Sequence, residues 1–552
     1  MIHINIDGEK HQVPAGWSVA TAVSHVKGIE NYRLTEQNHR RAPMCHMGVC
    51  YECSLHVSGQ GNVRGCMVQA TEGMEIRTLH AEALDWKESE REILSENDHI
   101  YDVAIIGAGP AGMGAADELA KSEKDVLLID EQLRAGGQIY KQPFAGRQPP
   151  HQLILTVDQL VTIDRLFGHA VWSIQSYTAS DQITADPKSR AFFRVFLENH
   201  SPIRAKKILL ATGAYDRIHP VRGWTLPGVM SAGGIQVQLK TQNYAAGQSV
   251  VLTGSHPFIL IVGKLLCESG VEVKGIAIAQ SLKTLLKMSK HAGTMRHHRA
   301  KLNELKNAIQ ILRKNQVPIW FNAMPTEIAG EEKVRAVTIK QSKAAVPLIR
   351  TIPCEVVGMC YGFTPVLDLA KQAGCHIERT AHGTRKVVIN EQNETSIQGI
   401  FAAGELIRVG GAERSEAEGR LVGRNLGGTD QGIEKQSLKK AMEKWNRFAE
   451  VLAEVELEAW RLTDFQTFEE NLVLCKCENV TVQDIHNTLM QPSPPTDLNS
   501  IKLQTRCGMG LCQGKYCEES LYRVACGTLS EPPLTDTFNG QSPAKAIAIR
   551  NL

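Results

Sequence analysis

Eight of the fourteen cysteines in this 552-residue chain fall into two quartets near opposite ends of the sequence. No other feature constrains the fold as much, because four closely spaced thiols either pair as disulfides or share a metal. The first residues alternate as Ile2, Ile4 and Ile6 rather than forming a charged segment that leads into an apolar core, so no secretory signal is expected. The longest apolar stretch, Val250 to Leu266, is interrupted by His256, Pro257 and Lys264, so no transmembrane span is expected. A cytoplasmic location follows, and a reducing compartment keeps thiols free for metal. Both quartets therefore read as metal sites. Cys267, Cys354, Cys360 and Cys375 stand singly and read as plain buried thiols.

The first quartet is Cys45, Cys50, Cys53 and the more distant Cys66. The run CysHisMetGlyValCysTyrGluCys has C-x4-C-x2-C spacing, which resembles that of plant-type ferredoxins, where a tight loop wraps a [2Fe-2S] cluster. Gly48 lets backbone amides approach the inorganic sulfides. Strand alternation from Ile2 to Val13 and a short helix near Ser18 to Val26 are consistent with a small β-grasp fold. Structural zinc is the competing reading, and His46 reads as a spacer because four cysteines already complete the site.

The middle of the chain has a different composition. TyrAspValAlaIleIleGlyAlaGlyProAlaGlyMetGly is a buried parallel strand running into a glycine turn and a helix, with Gly107, Gly109 and Gly112 in G-x-G-x-x-G register and Pro110 and Ala111 between them. Such a turn brings backbone and helix N-terminus to a pyrophosphate. The next strand, Val126 to Ile129, ends in Asp130 where an acid holds ribose hydroxyls, with Glu131 as the alternative. Gly137 and Gln138 are further contact candidates. LysIleLeuLeuAlaThrGlyAla, containing Ala211, Thr212 and Gly213, resembles the strand that closes the FAD domain of disulfide-reductase-like flavoproteins. GlyIlePheAlaAlaGlyGlu, containing Gly404 and Glu405, resembles their ribityl-contacting motif, with glutamate where aspartate is usual. No redox-active C-x-x-C lies in this region, which disfavours thioredoxin-reductase chemistry.

A second dinucleotide fold is expected between Gln248 and Gln341, but its turn reads Gly254-Ser255-His256, with histidine in place of the glycine that admits the pyrophosphate. The strand Val273 to Ile278 ends without an acidic or basic residue to read a ribose or its phosphate. This fold reads as vestigial for nicotinamide, His256 as a packing or partner-facing residue, and the basic run Arg296 to Lys301 as a solvated helix face. Apolar residues at helical spacing from Leu438 to Val455 predict an amphipathic bracing helix. Beyond it stands the second quartet, Cys475, Cys477, Cys507 and Cys512, whose C-x-C and C-x4-C pattern resembles the [2Fe-2S] domain of bacterioferritin-associated ferredoxin (BFD). Zinc competes again. Cys517 is an alternative to Cys512, and Cys526 reads as structural.

The order of these parts resembles, over nearly the whole chain, the α-type subunits of hydrogen cyanide synthase, opine oxidase, D-hydroxyproline dehydrogenase and heterotetrameric sarcosine oxidase. The shared residues are the two quartets, Gly107 to Gly112, TrpThrLeuProGlyVal at 224–229 and GlyGlyAlaGlu at 410–413. The resemblance implies an α/β flavoprotein with two dinucleotide-binding domains, a fused β-grasp [2Fe-2S] domain and a BFD-like [2Fe-2S] domain. The expected boundaries are 1–85 for the first domain, 86–100 for a charged linker, 101–247 with 342–430 for the FAD domain, 248–341 for the degenerate nicotinamide-like fold, 431–465 for the helical connector and 466–552 for the last domain. It implies FAD, two [2Fe-2S] clusters and an extra FMN at a subunit interface, for which no separate motif is present. It further implies a D-amino-acid-oxidase-like flavoprotein partner that oxidises an amine or amino acid, and a quinone or soluble carrier as acceptor. A self-sufficient NAD(P)H-dependent reductase is the alternative. With 61 basic and 59 acidic residues the chain has no global attraction for nucleic acid or an anionic membrane. No catalytic side chain is nominated.

Overall fold

The computed structural model describes residues 1–35, 37–78, 99–143, 151–177, 192–342, 346–428, 432–462, 468–529, 532–533 and 535–547. Most of the charged linker expected over 86–100 lies outside them.

The N-terminal part opens with an antiparallel hairpin, Ile2–Ile6 with Glu9–Val13. Asp7 and Gly8 both have positive φ at its turn, and an Asp-Gly pair of this kind matches the natural twist of a hairpin. Helix Val19–Lys27 follows, capped by Ser18 Oγ accepting from the Thr21 amide. Strand Glu75–Arg77 then runs parallel to the first strand and antiparallel to Ser54–Val57, completing a five-stranded mixed sheet. Ile4, Ile6, Val19, Val23 and Leu55 fill its core.

The central part holds a mixed sheet, with the antiparallel strands Val171–Tyr177 and Phe192–Leu197 at one edge, and a wholly parallel sheet. In the first, Ile163–Phe167, Val126–Asp130, Ile100–Ile106 and His200–Leu210 lie side by side, with Ile400–Ala402 returning to pair with the last of them. Their near-continuous apolar runs fit strands covered on both faces. The second comprises Val229–Ser231, Val356–Cys360, Ser249–Gly254, Glu272–Ile278 and Ile319–Phe321, all parallel. This sheet recruits strands from both sides of 248–341, so the unit is wider than the sequence pattern suggests. An antiparallel three-stranded sheet, Ala323–Ala329, Ala336–Gln341 and Leu348–Pro353, flanks it.

The long helix Gly432–Leu462 crosses both halves, and a small hairpin and three-helix unit from Val473 to Thr528 follows it. One continuous apolar core joins Met44 and Cys45, Trp224 and Val357, and Leu474 and Cys507. Specific polar contacts fix this union. Trp224 Nε1 donates to Val473 O at 2.7 Å, and Trp17 Nε1 donates to Gln242 O at 2.8 Å.

Candidate functional site

A cavity of about 930 Å³ runs along the C-terminal ends of the parallel strands of the first sheet and on between the two halves. Ligands of open parallel sheets bind at such strand ends. Gly107, Gly109, Pro110, Ala111, Asp130, Glu131, Gly137, Gln138, Ala211, Thr212, Gly213 and Glu405 all line it. Gly112 and Gly404 stand behind the wall. Gly107 has φ +111°, and a Cβ there would lie 2.3 Å from Ala211 O; one at Gly112 would lie 1.8 Å from Gly107 O. The turn therefore closes only with glycine at both places.

The two acids after the second strand have different tasks. Asp130 Oδ2 accepts from the Ala108 amide at 2.6 Å and Oδ1 from the Gln132 amide at 2.7 Å, so its carboxylate braces the glycine turn. Burial pushes it up to about 6. Glu131 is held by Lys545 at 2.8 Å and Arg64 at 3.0 Å, tying the last and first parts of the chain to the central one. Despite its burial, these two cations hold it down to about 2.

Glu405 Oε1 accepts from the amides of Gly410 and Gly411 and from Ser415 Oγ. Behind it lies a buried ion pair that sequence reasoning missed. Arg414 Nη2 reaches Glu418 Oε1 at 2.9 Å, and both side chains are 2% exposed. Glu418 Oε2 accepts from the Gly404 amide, while Arg414 reaches Arg408 O and Asn446 Oδ1 of the long helix. The i,i+4 spacing of Arg414 and Glu418 was the available signal, but it does not distinguish a buried pair from a surface one.

The lining suits a dinucleotide carrying an elongated polar chain, whose hydroxyls can donate to unpartnered acceptors. Gln138 Oε1 and Glu413 Oε2 belong to residues lining the cavity, and both atoms are buried without a partner in the chain. Together with the glycine cradle, they fit FAD.

The first cysteine loop reaches the same cavity, with Met47, Gly48, Val49 and Tyr51 on its wall. The loop is seated on the N-terminus of helix Ala232–Gln242. The Ser231 amide donates to Met44 O at 2.9 Å, and a Cβ on Gly234 would approach Met44 O to 2.7 Å. Cys45, Cys50, Cys53 and Cys66 are all buried, and the structure brings all four together. Their thiols contact in two pairs, Cys45 with Cys50 and Cys53 with Cys66. Amides of Cys50 and Met47 point at Cys45 Sγ. A zinc ion needs four sulfurs within about 3.8 Å of one another, given Zn–S bonds of about 2.3 Å. Two separated pairs instead fit a binuclear cluster with two thiolates on each iron. His46 is held in positive φ within the loop, and burial pushes its ring down to about 3.

At the other quartet Cys477 contacts Cys512, while Cys475 contacts both Cys507 and Cys517. Among the described residues, Cys475, Cys507 and Cys517 form the one group of three or more potential metal ligands whose atoms all lie within 4.8 Å. Five thiols converge here. Cys517 lies beside Cys507 and Cys475, so geometrically it is the alternative to Cys507 rather than to Cys512.

The second sheet carries a modified turn. The His256 ring packs on Phe363 with centroids 4.9 Å apart, and its Nε2 lies 3.7 Å from Glu456 Oε1 of the long helix. Burial pushes Glu456 up to about 7 and His256 down to about 4, so between these values neither is charged and the contact is not an ion pair. Gln280 Nε2 donates both to Ser255 O in the turn and to Val455 O in the long helix, which therefore lies across the mouth of this fold. The basic run is not wholly a solvated face. His298 is 5% exposed and packs on Trp445 at 4.2 Å.

Comparison with known proteins agrees with this geometry. Residues 101–420, more than half of the chain, match the model of the pyridine nucleotide-disulphide oxidoreductase family. The chain belongs to that family. Residues 1–81 match a 2Fe-2S iron-sulfur cluster binding domain, and residues 473–524 match a BFD-like [2Fe-2S] binding domain. An opine oxidase subunit of Rhizobium meliloti is 29% identical over 84% of this chain and 89% of its own length. Hydrogen cyanide synthase subunit HcnB of Pseudomonas aeruginosa is 28% identical over 76% of this chain and 92% of its own. The crystal structure of L-proline dehydrogenase from P. horikoshii superposes with a TM-score of 0.68 at 20% identity, covering 100% of this chain and 97% of that one, which shows a shared fold. The chain is thus a flavin oxidoreductase of mixed α/β fold with two [2Fe-2S] domains. Among the described residues, no helix is long and apolar enough to cross a membrane.

Proposed function

We propose that this chain is the FAD- and iron-sulfur-containing electron-transfer subunit of a cytoplasmic heteromeric dehydrogenase acting on an amine, imino acid, opine or amino acid. One observation carries the reading: the first cysteine loop and the glycine turn line the same cavity. When bound, FAD exchanges electrons in pairs or singly and each cluster takes one, so the chain converts two-electron to one-electron chemistry.

The residues supply binding and orientation. The turn Gly107–Gly112 and the helix it opens hold the pyrophosphate, Asp130 or Glu131 holds the ribose, and Glu405 holds the ribityl chain. Amides at the start of helix Ala412–Gly427 lend partial positive charge to the cavity. Cys45, Cys50, Cys53 and Cys66 ligate one cluster; Cys475, Cys477, Cys512 and either Cys507 or Cys517 ligate the other. Substrate oxidation falls to a D-amino-acid-oxidase-like partner flavoprotein, with FMN at the interface and a quinone or soluble carrier as acceptor. Relatives named as subunits of an opine oxidase and a hydrogen cyanide synthase support a partner. His256 and the long helix across the second fold argue against a self-sufficient NAD(P)H reductase.

The test is reconstitution with a dye acceptor. The isolated chain should not oxidise sarcosine, glycine, opines or D-hydroxyproline, and adding its partner flavoprotein should start turnover of one of them. Turnover by the single chain would overturn the proposal.

A further inference from the structure

The two cysteine quartets, more than four hundred residues apart in sequence, meet in space. A gap of about 10 Å³ separates them, at most the size of one water site. Cys50 lines it from the first quartet, and Cys477 and Cys512 line it from the second, with Glu52, Lys476 and Tyr516 between. The contact is built from both sides. Arg41, 2% exposed, donates through Nε to Lys476 O at 3.2 Å and through Nη2 to Asn479 Oδ1 at 3.1 Å.

The gap carries an unusual charge arrangement. Lys476 is 5% exposed and lines the gap beside Glu52 and Cys50 from one side of the junction and Cys477 from the other, with the Arg41 guanidinium bonded to its carbonyl. Glu52 is 1% exposed; Arg33 reaches its Oε2 at 2.8 Å, but its Oε1 is buried with no partner. A buried carboxylate oxygen without a donor is costly, as is a buried ammonium without a counter-charge. Their shared surroundings are two sets of thiolates. Reduction adds one negative charge to a thiolate-ligated cluster, and its potential responds to nearby charge and burial. Inside the protein such interactions are much stronger than in water.

We propose that the quartets hold their clusters as one electrostatically coupled pair across this gap, with Lys476 and Glu52 as the opposing charges that set both potentials. This rests on the cluster assignment above and adds that the two sites act together. Lys476 favours the reduced form at both sites, and Glu52 disfavours it.

The experiment is an anaerobic redox titration of the intact chain followed by electron paramagnetic resonance, with Lys476→Met, Lys476→Arg and Glu52→Gln beside it. Both midpoint potentials should fall in Lys476→Met, stay near the parent in Lys476→Arg and rise in Glu52→Gln. A purely structural role would not give opposite shifts. In the unaltered chain, full reduction should give a broadened, fast-relaxing signal, and Cys50→Ser should leave one narrow signal from the second cluster. Two independent signals in the unaltered chain, or shifts confined to one cluster, would overturn the coupling while leaving the cluster assignment standing. Fewer than about four irons per chain would overturn the assignment itself, and the coupling with it.

Discussion

Replacing Arg414 with methionine tests how the flavin side of the cavity is held. In the parent, the guanidinium is 2% exposed and bonds Glu418 at 2.9 Å, Asn446 at 2.7 Å and Arg408 O at 3.2 Å. Methionine fills much of the space but leaves the Glu418 carboxylate buried, with the Gly404 amide as its remaining close donor. Removing one partner of a buried ion pair costs about 3–5 kcal/mol, because the other charge stays uncompensated. For a unit of this size each kcal/mol shifts the melting temperature by about 2–4 °C, so a fall of roughly 6–20 °C is expected. FAD should also be lost more readily, because Glu418 positions the Gly404 amide and Arg414 ties the segment 404–411 to the long helix. Calorimetry with flavin fluorescence reads both effects. The double change Arg414→Met with Glu418→Met should recover part of the loss, since it leaves no buried charge. A single variant melting within about 2 °C of the parent, at most about one kcal/mol on this scale, would refute the reasoning.

Three further outcomes are expected. Glu456 is raised by burial from 4.5 to about 7, so the folded chain binds more protons than the unfolded one between these values, and its stability falls as pH rises through that window. At about 1.4 kcal/mol per pH unit the loss is on the order of 3 kcal/mol, and urea midpoints of Glu456→Gln should lack it. Cys507→Ser and Cys517→Ser should each show whether that thiol is the fourth ligand at the second site; one should retain full iron and the other lose about two irons per chain, whereas equal retention in both would mean that either thiol suffices. NADH or NADPH, mixed anaerobically at sub-millimolar concentration, should leave the flavin absorbance unbleached over seconds while dithionite bleaches it; rapid bleaching would show that His256 and the long helix do not close the second fold.

Local elements were legible because their signals are local. The strand alternation from Ile2 to Val13, the glycine register from Gly107 to Gly112 and both cysteine quartets follow from spacing, and the structure forms the strands and the turn and brings thiols of each set into contact. What the sequence concealed is long-range. Nothing near Glu131 reveals that Arg64 and Lys545 will hold it, since one precedes it by 67 residues and the other follows by 414. The strands Val229–Ser231 and Val356–Cys360 are short and lie outside the segment whose pattern suggested a second dinucleotide fold, so its sheet was drawn too narrowly. His298 looked solvated within a basic run because its partners Trp445 and Phe448 come from a helix about 150 residues on. The meeting of the two quartets was hidden for the same reason: cysteine spacing specifies each loop, but not which loop it will face.

The central claim, one FAD and two [2Fe-2S] clusters held by these two quartets, is tested most directly by metal and flavin analysis of protein made anaerobically. The account predicts one FAD and about four irons per chain, with Cys50→Ser and Cys477→Ser each losing about two irons and leaving the electron paramagnetic resonance signal of the other cluster while the flavin remains. Zinc in place of half the iron, with a single cluster signal that Cys477→Ser does not alter, would contradict it.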